Sequence, residues 1–285
     1  MKIILSRKGF DSFSGGVPSP IFPDGELLSL PIPDKSSTIR YEEIAGNRLA
    51  TVGELVEQLA GIPQIHSAHL DPDLAARSIP RAKGWRPIFG QGGPAETHLK
   101  NQGVGPGDVF LFFGLFRSVE RMGSRWRYVR ASQPMHILFG WLQAAQRINV
   151  SEWPVADQWG LYHPHLARKP RTGDVIYVAA KRLVLPQVGS VGVAGAGLFH
   201  SFSQDLRLTA PDSGRHGLWL LPKWFHPANH ASSLSYHGDA ARWKKTSAGT
   251  ALSSVGRGQE FVLDCTDYPE AINWLRKFFV TTGSR

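Results

Sequence analysis

Apolar and polar positions change period along the chain, and the changes mark out its elements. The continuous apolar run KIIL at 2–5 predicts a short buried strand, and the glycine- and proline-rich GGVPSPIFPDG after it is a structured loop that no helix can occupy. LLSLPIP reads as a second short strand, which Pro31 and Pro33 confine to an edge. At 51–60 the spacing turns helical, with Thr51 as N-cap and Glu54 three residues on, a capping box ahead of an apolar stripe. DVFLFFGLFR at 108–117 is dense in Phe on both alternating sets of positions, as a strand buried on both faces is. HILFGWLQAAQRI at 136–148 is a further apolar run. Strands are predicted over DVIYVAAKRLVL at 174–185, then at 206–209, 218–221 and 259–264. A terminal helix over about 268–279 has Pro269 near its start and Ala271, Trp274, Leu275 and Phe278 on one face.

Many strands with few long helices predict an α+β fold: a mixed or mostly antiparallel sheet, with room for a small barrel-like part, and a C-terminal helix. No repeat or low-complexity linker divides the chain, so residues 1–285 are expected to form a single domain that buries enough surface to be stable unaided. Cys265 is the only cysteine, which excludes an internal disulfide and a CxxC metal site. No stretch has the length of a membrane span or a signal-peptide core. A cytoplasmic, reducing location without membrane contact is expected.

Charge changes the picture. The formal charge is +9, and it is concentrated: residues 77–182 hold sixteen Lys/Arg against six Asp/Glu, whereas residues 1–76 hold six against ten. Clustered cations suit a phosphate-bearing partner, and interleaved aromatics suit base stacking. Arg121, Arg125, Trp126, Arg127, Tyr128 and Arg130 have that character and are expected to contact nucleic acid; the alternative is a basic face that serves solubility.

Three segments carry candidate chemistry. In SRKGFDS, Arg7, Lys8, Ser12 and the glycines beyond them can bring cations and backbone N–H groups to a phosphate, although neither GxGxxG nor GxxxxGKS spacing is present. The alternative there is a glycine loop in which Arg7 and Asp11 pair with each other. In the second segment Gln91 precedes a helix-length stretch that sets His98 within a turn of Asn101 and Gln102. There His98, Asp11 and Asn101 are the candidates for catalysis, with amides able to read base edges, unless His98 and Asn101 merely fix the loop. In the third, His163 and His165 lie two apart, and His69 and Asp71, with His66, Asp73 or His136, could join them around a metal. The spacing is too common to specify one, so no metal is expected and no cofactor is identified. The histidines and aromatics of WFHPANHASSLSYHG read either as a base-stacking floor or as core packing, and the absence of GxSxG argues against a serine hydrolase.

The order SRKGFDS, GGVPSPIFPDG, HLDPDL, GQGGPAETHLKNQGVGPGDVFLFFGLFR, HPHL, LPKWF and GQEFVLD resembles a bacterial and phage family called nucleotide modification associated domain, the third of that name. The resemblance runs along nearly the whole chain. It implies an α+β domain that handles modified bases in DNA, without a settled catalytic chemistry. The positions that would carry function are Arg7, Lys8, Asp11, His69, Asp71, Gln91, His98, Asn101, Gln102, Arg117, His163 and His165, with Arg117 and Gln102 joining the nucleotide- and phosphate-binding set. The leading expectation is a nucleotide- or DNA-modifying transferase or hydrolase. A non-catalytic reader of modified bases is the alternative, and a nuclease built on Asp71 and Asp73 stands third.

Overall fold

The computed structural model of the protein describes residues 1–46, 50–61, 67–256 and 258–280. His66 lies outside the described residues. In chain order the elements are β1 (Lys2–Arg7), β2 (Ser19–Ile21), α1 (Val52–Ala60), β3 (Ile88–Gln91), α2 (Gly93–Asn101), β4 (Val109–Met122), β5 (Arg125–Tyr128), β6 (Met135–Asn149) and α3 (Pro164–Ala167). There follow β7 (Val175–Ala179), β8 (Arg182–Leu185), β9 (Gly189–Ala194), β10 (Ala196–Leu198), β11 (Leu218–Leu221), β12 (Trp243–Lys245), β13 (Thr250–Ser253), β14 (Glu260–Asp264) and α4 (Glu270–Val280).

The fold is α+β around a large mixed sheet ordered β14-β1-β4-β6-β7-β3, with β2 and β5 paired to β4 and β10 to β6. β1 runs parallel to β4 and antiparallel to β14. β4 is central because every residue from Val109 to Phe116 is buried, as the Phe-rich run requires. A bulge between Phe112 and Phe113 shifts its register against β6. Phe110 and Phe112 pack with Phe89, and Phe110 also with Tyr177, while Phe113 packs with Trp219 and Phe261. α1 carries the expected capping box and ends at Gly61 in the left-handed region. α4 buries Ala271 and Leu275, and its Phe279 meets Trp141 and Phe199.

Three expectations are corrected. Residues 27–33 form isolated bridges, since prolines at 31 and 33 supply no N–H for a ladder. Residues 206–209 pair through single bridges after a 3-10 turn. The run 174–185 divides after Ala179, and β8 leaves the large sheet to pair with β9. No closed barrel forms among the described residues. Instead the sheet curls until its two edges meet through side chains: Gln91 on β3 donates to Glu260 on β14 at 2.7 Å. That curl brings the ends of β1, β3 and β14 together.

Candidate functional site

Asp71 is the centre of a buried polar cluster. It follows His69 in an extended segment, and the Asp71–Pro72 bond is cis. The carboxylate Oδ1 accepts the backbone N–H of Gly90 at 2.9 Å and lies 3.3 Å from His163 Nε2. Oδ2 faces His69 Nε2 at 3.7 Å and His165 Nε2 at 3.6 Å, both longer than a hydrogen bond. Ligand atoms of His69, Asp71 and His165 all lie within 4.8 Å of one another. Pro164 begins α3 and His163 caps it, which aims both imidazoles back at β3. Gly90 makes room for them: a Cβ there would lie 2.5 Å from His165 Cδ2 and 2.9 Å from His163 Cε1.

A second layer fixes the cluster. Asp34 Oδ2 accepts from His69 Nδ1 at 2.8 Å, leaving Nε2 directed at Asp71. Arg168 Nη2 lies 3.2 Å from His165 Nδ1 and donates to Asp174 at 2.8 Å. Burial pushes the Asp71 carboxyl upward, but the imidazoles of His163 and His69 outweigh it and hold the group well below the ordinary carboxylate value. Burial lowers His69, and its two carboxylate neighbours more than reverse this, so its pKa is raised. His165, buried and flanked by His163 and Arg168, is pushed down to about 3 despite Asp71.

The cluster opens onto a cavity of about 130 Å³ lined by Arg7, Lys8, Asp11, Gln91 and His165 among others. That is far more than the ~15 Å³ one water needs. A neighbouring cavity of about 100 Å³ shares Arg7, Lys8 and Asp11 and adds Ser12, Phe13 and His136. Arg7 donates to the carbonyls of Val255 and Gly256, and its buried Nε has no partner among the described residues. Lys8 pairs with Glu260 at 2.9 Å, so its charge is matched locally, and Glu260 Oε1 also accepts from Ser6 and Gln91. Asp11 accepts the N–H groups of Phe13 and Ser14, an Asx turn that leaves the Phe13 ring 89% exposed at the cavity rim.

The structure thus gathers Arg7, Lys8, Asp11, Ser12, Gln91, His69, Asp71, His163 and His165. It sets the other candidates elsewhere. His98 meets Ser235 at 3.0 Å and packs at a tilt against the half-exposed Tyr236, and burial lowers its pKa. Asn101 and Gln102 are exposed at the end of α2. Arg117 donates to Val129 and Ser132. Arg121, Arg125, Arg127 and Arg130 are exposed on and after the β4–β5 hairpin, but Trp126 turns inward onto Phe22 and Tyr128 donates to Pro18. The 224–243 tract is largely structural: Trp243 and His237 are buried, and both nitrogens of His230 meet carbonyls. Asp73 is taken up by Arg81 and Tyr162, so it does not join Asp71 at one point. Burial pushes the Cys265 thiol up to about 12, the inert state expected of it. Asp34 and Glu260 were not legible as site residues, because each meets the cluster only through tertiary contact, and Arg168, three residues after His165, sits in no motif that marks it; the PIPDKSS turn pattern marks Asp34 only as a turn former.

The sequence model of the family described as Nucleotide modification associated domain 3 matches residues 2–264. No curated protein and no solved structure matches the chain. Among the described residues no helix is long and apolar enough to cross a membrane.

Proposed function

The chain belongs to the nucleotide modification associated domain 3 family, and from that premise we propose that it is an enzyme, a transferase or hydrolase, that modifies a nucleotide or a base in DNA at the cavity beside Asp71. The observation that carries this reading is the convergence of His69, Asp71 and His165 on one cavity that Arg7 also lines. Among the described residues Arg7 lines this cavity without an ion pair, with Asp11 the carboxylate that acts on its charge, so it is the group suited to an anionic part of the substrate, whereas Lys8 is held by Glu260. The pair of cavities divided by Arg7 and Lys8 suits a phosphoryl group on one side and a polar base edge on the other. Asp11 shapes the loop between them.

In this reading Asp71 and its histidines form the reactive wall of the cavity. Asp34 orients the His69 ring by accepting from Nδ1, which turns Nε2 toward Asp71 at 3.7 Å. Phe13 at the rim offers an aromatic face to a base, as does Tyr236 beside His98. The exposed arginines of the β4–β5 hairpin are proposed to hold the DNA backbone.

The test is nucleoside mass spectrometry on DNA from cells making the wild-type chain, Asp71→Asn or His98→Ala, with plain and base-modified phage DNA. A new or missing nucleoside is expected with wild type and its loss, by at least about 100-fold, with Asp71→Asn; the His98→Ala effect is expected to be smaller. An unchanged nucleoside profile in all three, together with tighter binding of modified than plain duplex at matched salt, overturns the enzyme and leaves a reader.

A further inference from the structure

We propose that His69, Asp71 and His165 bind one divalent first-row transition ion. The inference deepens the reading above and relies on it only for the link to catalysis, since the site itself stands on geometry.

Two imidazole nitrogens approach the same carboxylate oxygen at 3.6 and 3.7 Å without hydrogen-bonding to it. Donor atoms about 2.1 Å from a shared tetrahedral ion stand roughly 3.4 Å apart. The spacing is therefore long for a hydrogen bond and close to that of neighbouring ligands. The Asp71 carboxylate is oriented to present one oxygen to them. Gly90 N–H occupies Oδ1, and His163 Nε2, buried and without a hydrogen-bond partner among the described residues, stands beside the same oxygen. Oδ2 is left toward the two remaining histidines. On His69 the Nδ1–H donates to the Asp34 carboxylate at 2.8 Å, which leaves the Nε2 lone pair for a metal, the outer-layer arrangement of metal-bound histidine.

His165 is held differently. Arg168 donates to its Nδ1, which puts the ring proton on Nε2. Binding an ion at Nε2 moves that proton to Nδ1 and turns Arg168 away, toward its other partner Asp174. The Arg168 side chain is 20% exposed and keeps Asp174 as its partner when it turns. Two nitrogens and one carboxylate oxygen, with no thiolate, favour zinc, iron(II) or manganese(II) over magnesium or calcium. Three protein donors leave positions for water or a substrate oxygen in the cavity that Arg7 and Gln91 also line.

The full chain is stripped with chelator, exposed to Zn²⁺, desalted and measured by plasma mass spectrometry, with calorimetric titration of Zn²⁺ and the cobalt(II) visible spectrum alongside. One retained ion per chain is expected. Affinity should fall at least about 100-fold in Asp71→Asn and in His69→Gln, and about 10-fold in Asp34→Asn. It should be unchanged in His226→Ala, which lies outside the cavity, and should rise in Arg168→Gln, whose carboxamide oxygen can accept from Nδ1. Circular dichroism reports whether each variant folds, and the two ligand variants substitute for one another if one does not. No retained zinc, or wild-type affinity in folded ligand variants, overturns the site. Zinc binding without any nucleoside product leaves the site standing and removes the proposed reaction, whereas nucleoside product from a chain that retains no zinc does the reverse.

Discussion

Gly90 has no side chain, and its backbone therefore serves two groups at once: its N–H fixes Asp71, and its Cα face receives the rings of His165 and His163. Gly90→Ala would place a methyl group 2.5 Å from His165. Overpacking of this kind costs about 1–3 kcal/mol, so the urea midpoint should fall at unchanged slope. Gly105→Ala is the control, since a Cβ there meets nothing within 4 Å, and it should stay within about 0.5 kcal/mol of wild type. A Gly90→Ala midpoint equal to that of the control would show that the rings do not pack as described. At this scale the sequence was half legible. His69, Asp71, Gln91, His163 and His165 stand out as polar groups in turn-rich segments, but local spacing joins only His69 to Asp71 and His163 to His165. Asp34 reaches His69 across 35 positions and Glu260 reaches Gln91 across 169, so residue type alone could not separate them from ordinary surface acids.

Among the elements, those decided by local pattern match their sequence reading: β1, β4, α1, β11, β14 and α4 lie where period, caps and breakers put them. Elements that depend on a partner strand do not, as the division of 174–185 into β7 and β8 illustrates. The three-stranded sheet β11-β13-β12 leads to a pH prediction. His237 beside it is fully buried, with Nδ1 on the Ser235 carbonyl and Nε2 accepting the Val255 N–H, which is the neutral tautomer. Burial pushes its pKa down to about 4; the Ser235 contact opposes this, while Arg242 and Arg7 add to it. The unfolded chain then binds more protons than the folded one between about pH 6.5 and 4. Stability should be full above that window and fall as pH drops through it, by about 3 kcal/mol for this group. His136, buried and accepting from Trp219, shifts in the same direction. Urea midpoints from pH 7.5 to 4 should show this fall in wild type and a shallower one in His237→Gln. Parallel curves would mean that His237 does not carry it.

For the molecule as a whole, charge asymmetry becomes a surface. The basic excess of residues 77–182 includes Arg121, Arg125, Arg127 and Arg130, all exposed at the β4–β5 hairpin. Trp126 anchors that hairpin to the body, with its N–H on Gln58 of α1 and its ring against Phe22. Arg127 is partly offset by Glu120 at 2.9 Å, which makes Arg121 and Arg125 the stronger candidates for phosphate contact. Replacing both with Gln should weaken DNA binding alike for all sequences and lower the salt slope by about two, roughly one for each arginine replaced. Fluorescence anisotropy over a salt series checks this, and an unchanged slope would assign these arginines to solubility alone.

Composition and period by themselves determined the α+β class, the central Phe-rich strand, the capped and terminal helices and the basic middle third, because each is fixed by neighbours a few positions apart. The tertiary structure alone decided the curl that brings the edges β3 and β14 together, and with it the meeting of Asp34, His69, Asp71, His163 and His165 beside Arg7. The physical reason is range. A turn or a hydrophobic period is a local free-energy preference, whereas a buried carboxylate among imidazoles exists only once a packed core holds distant segments in place against their charge desolvation.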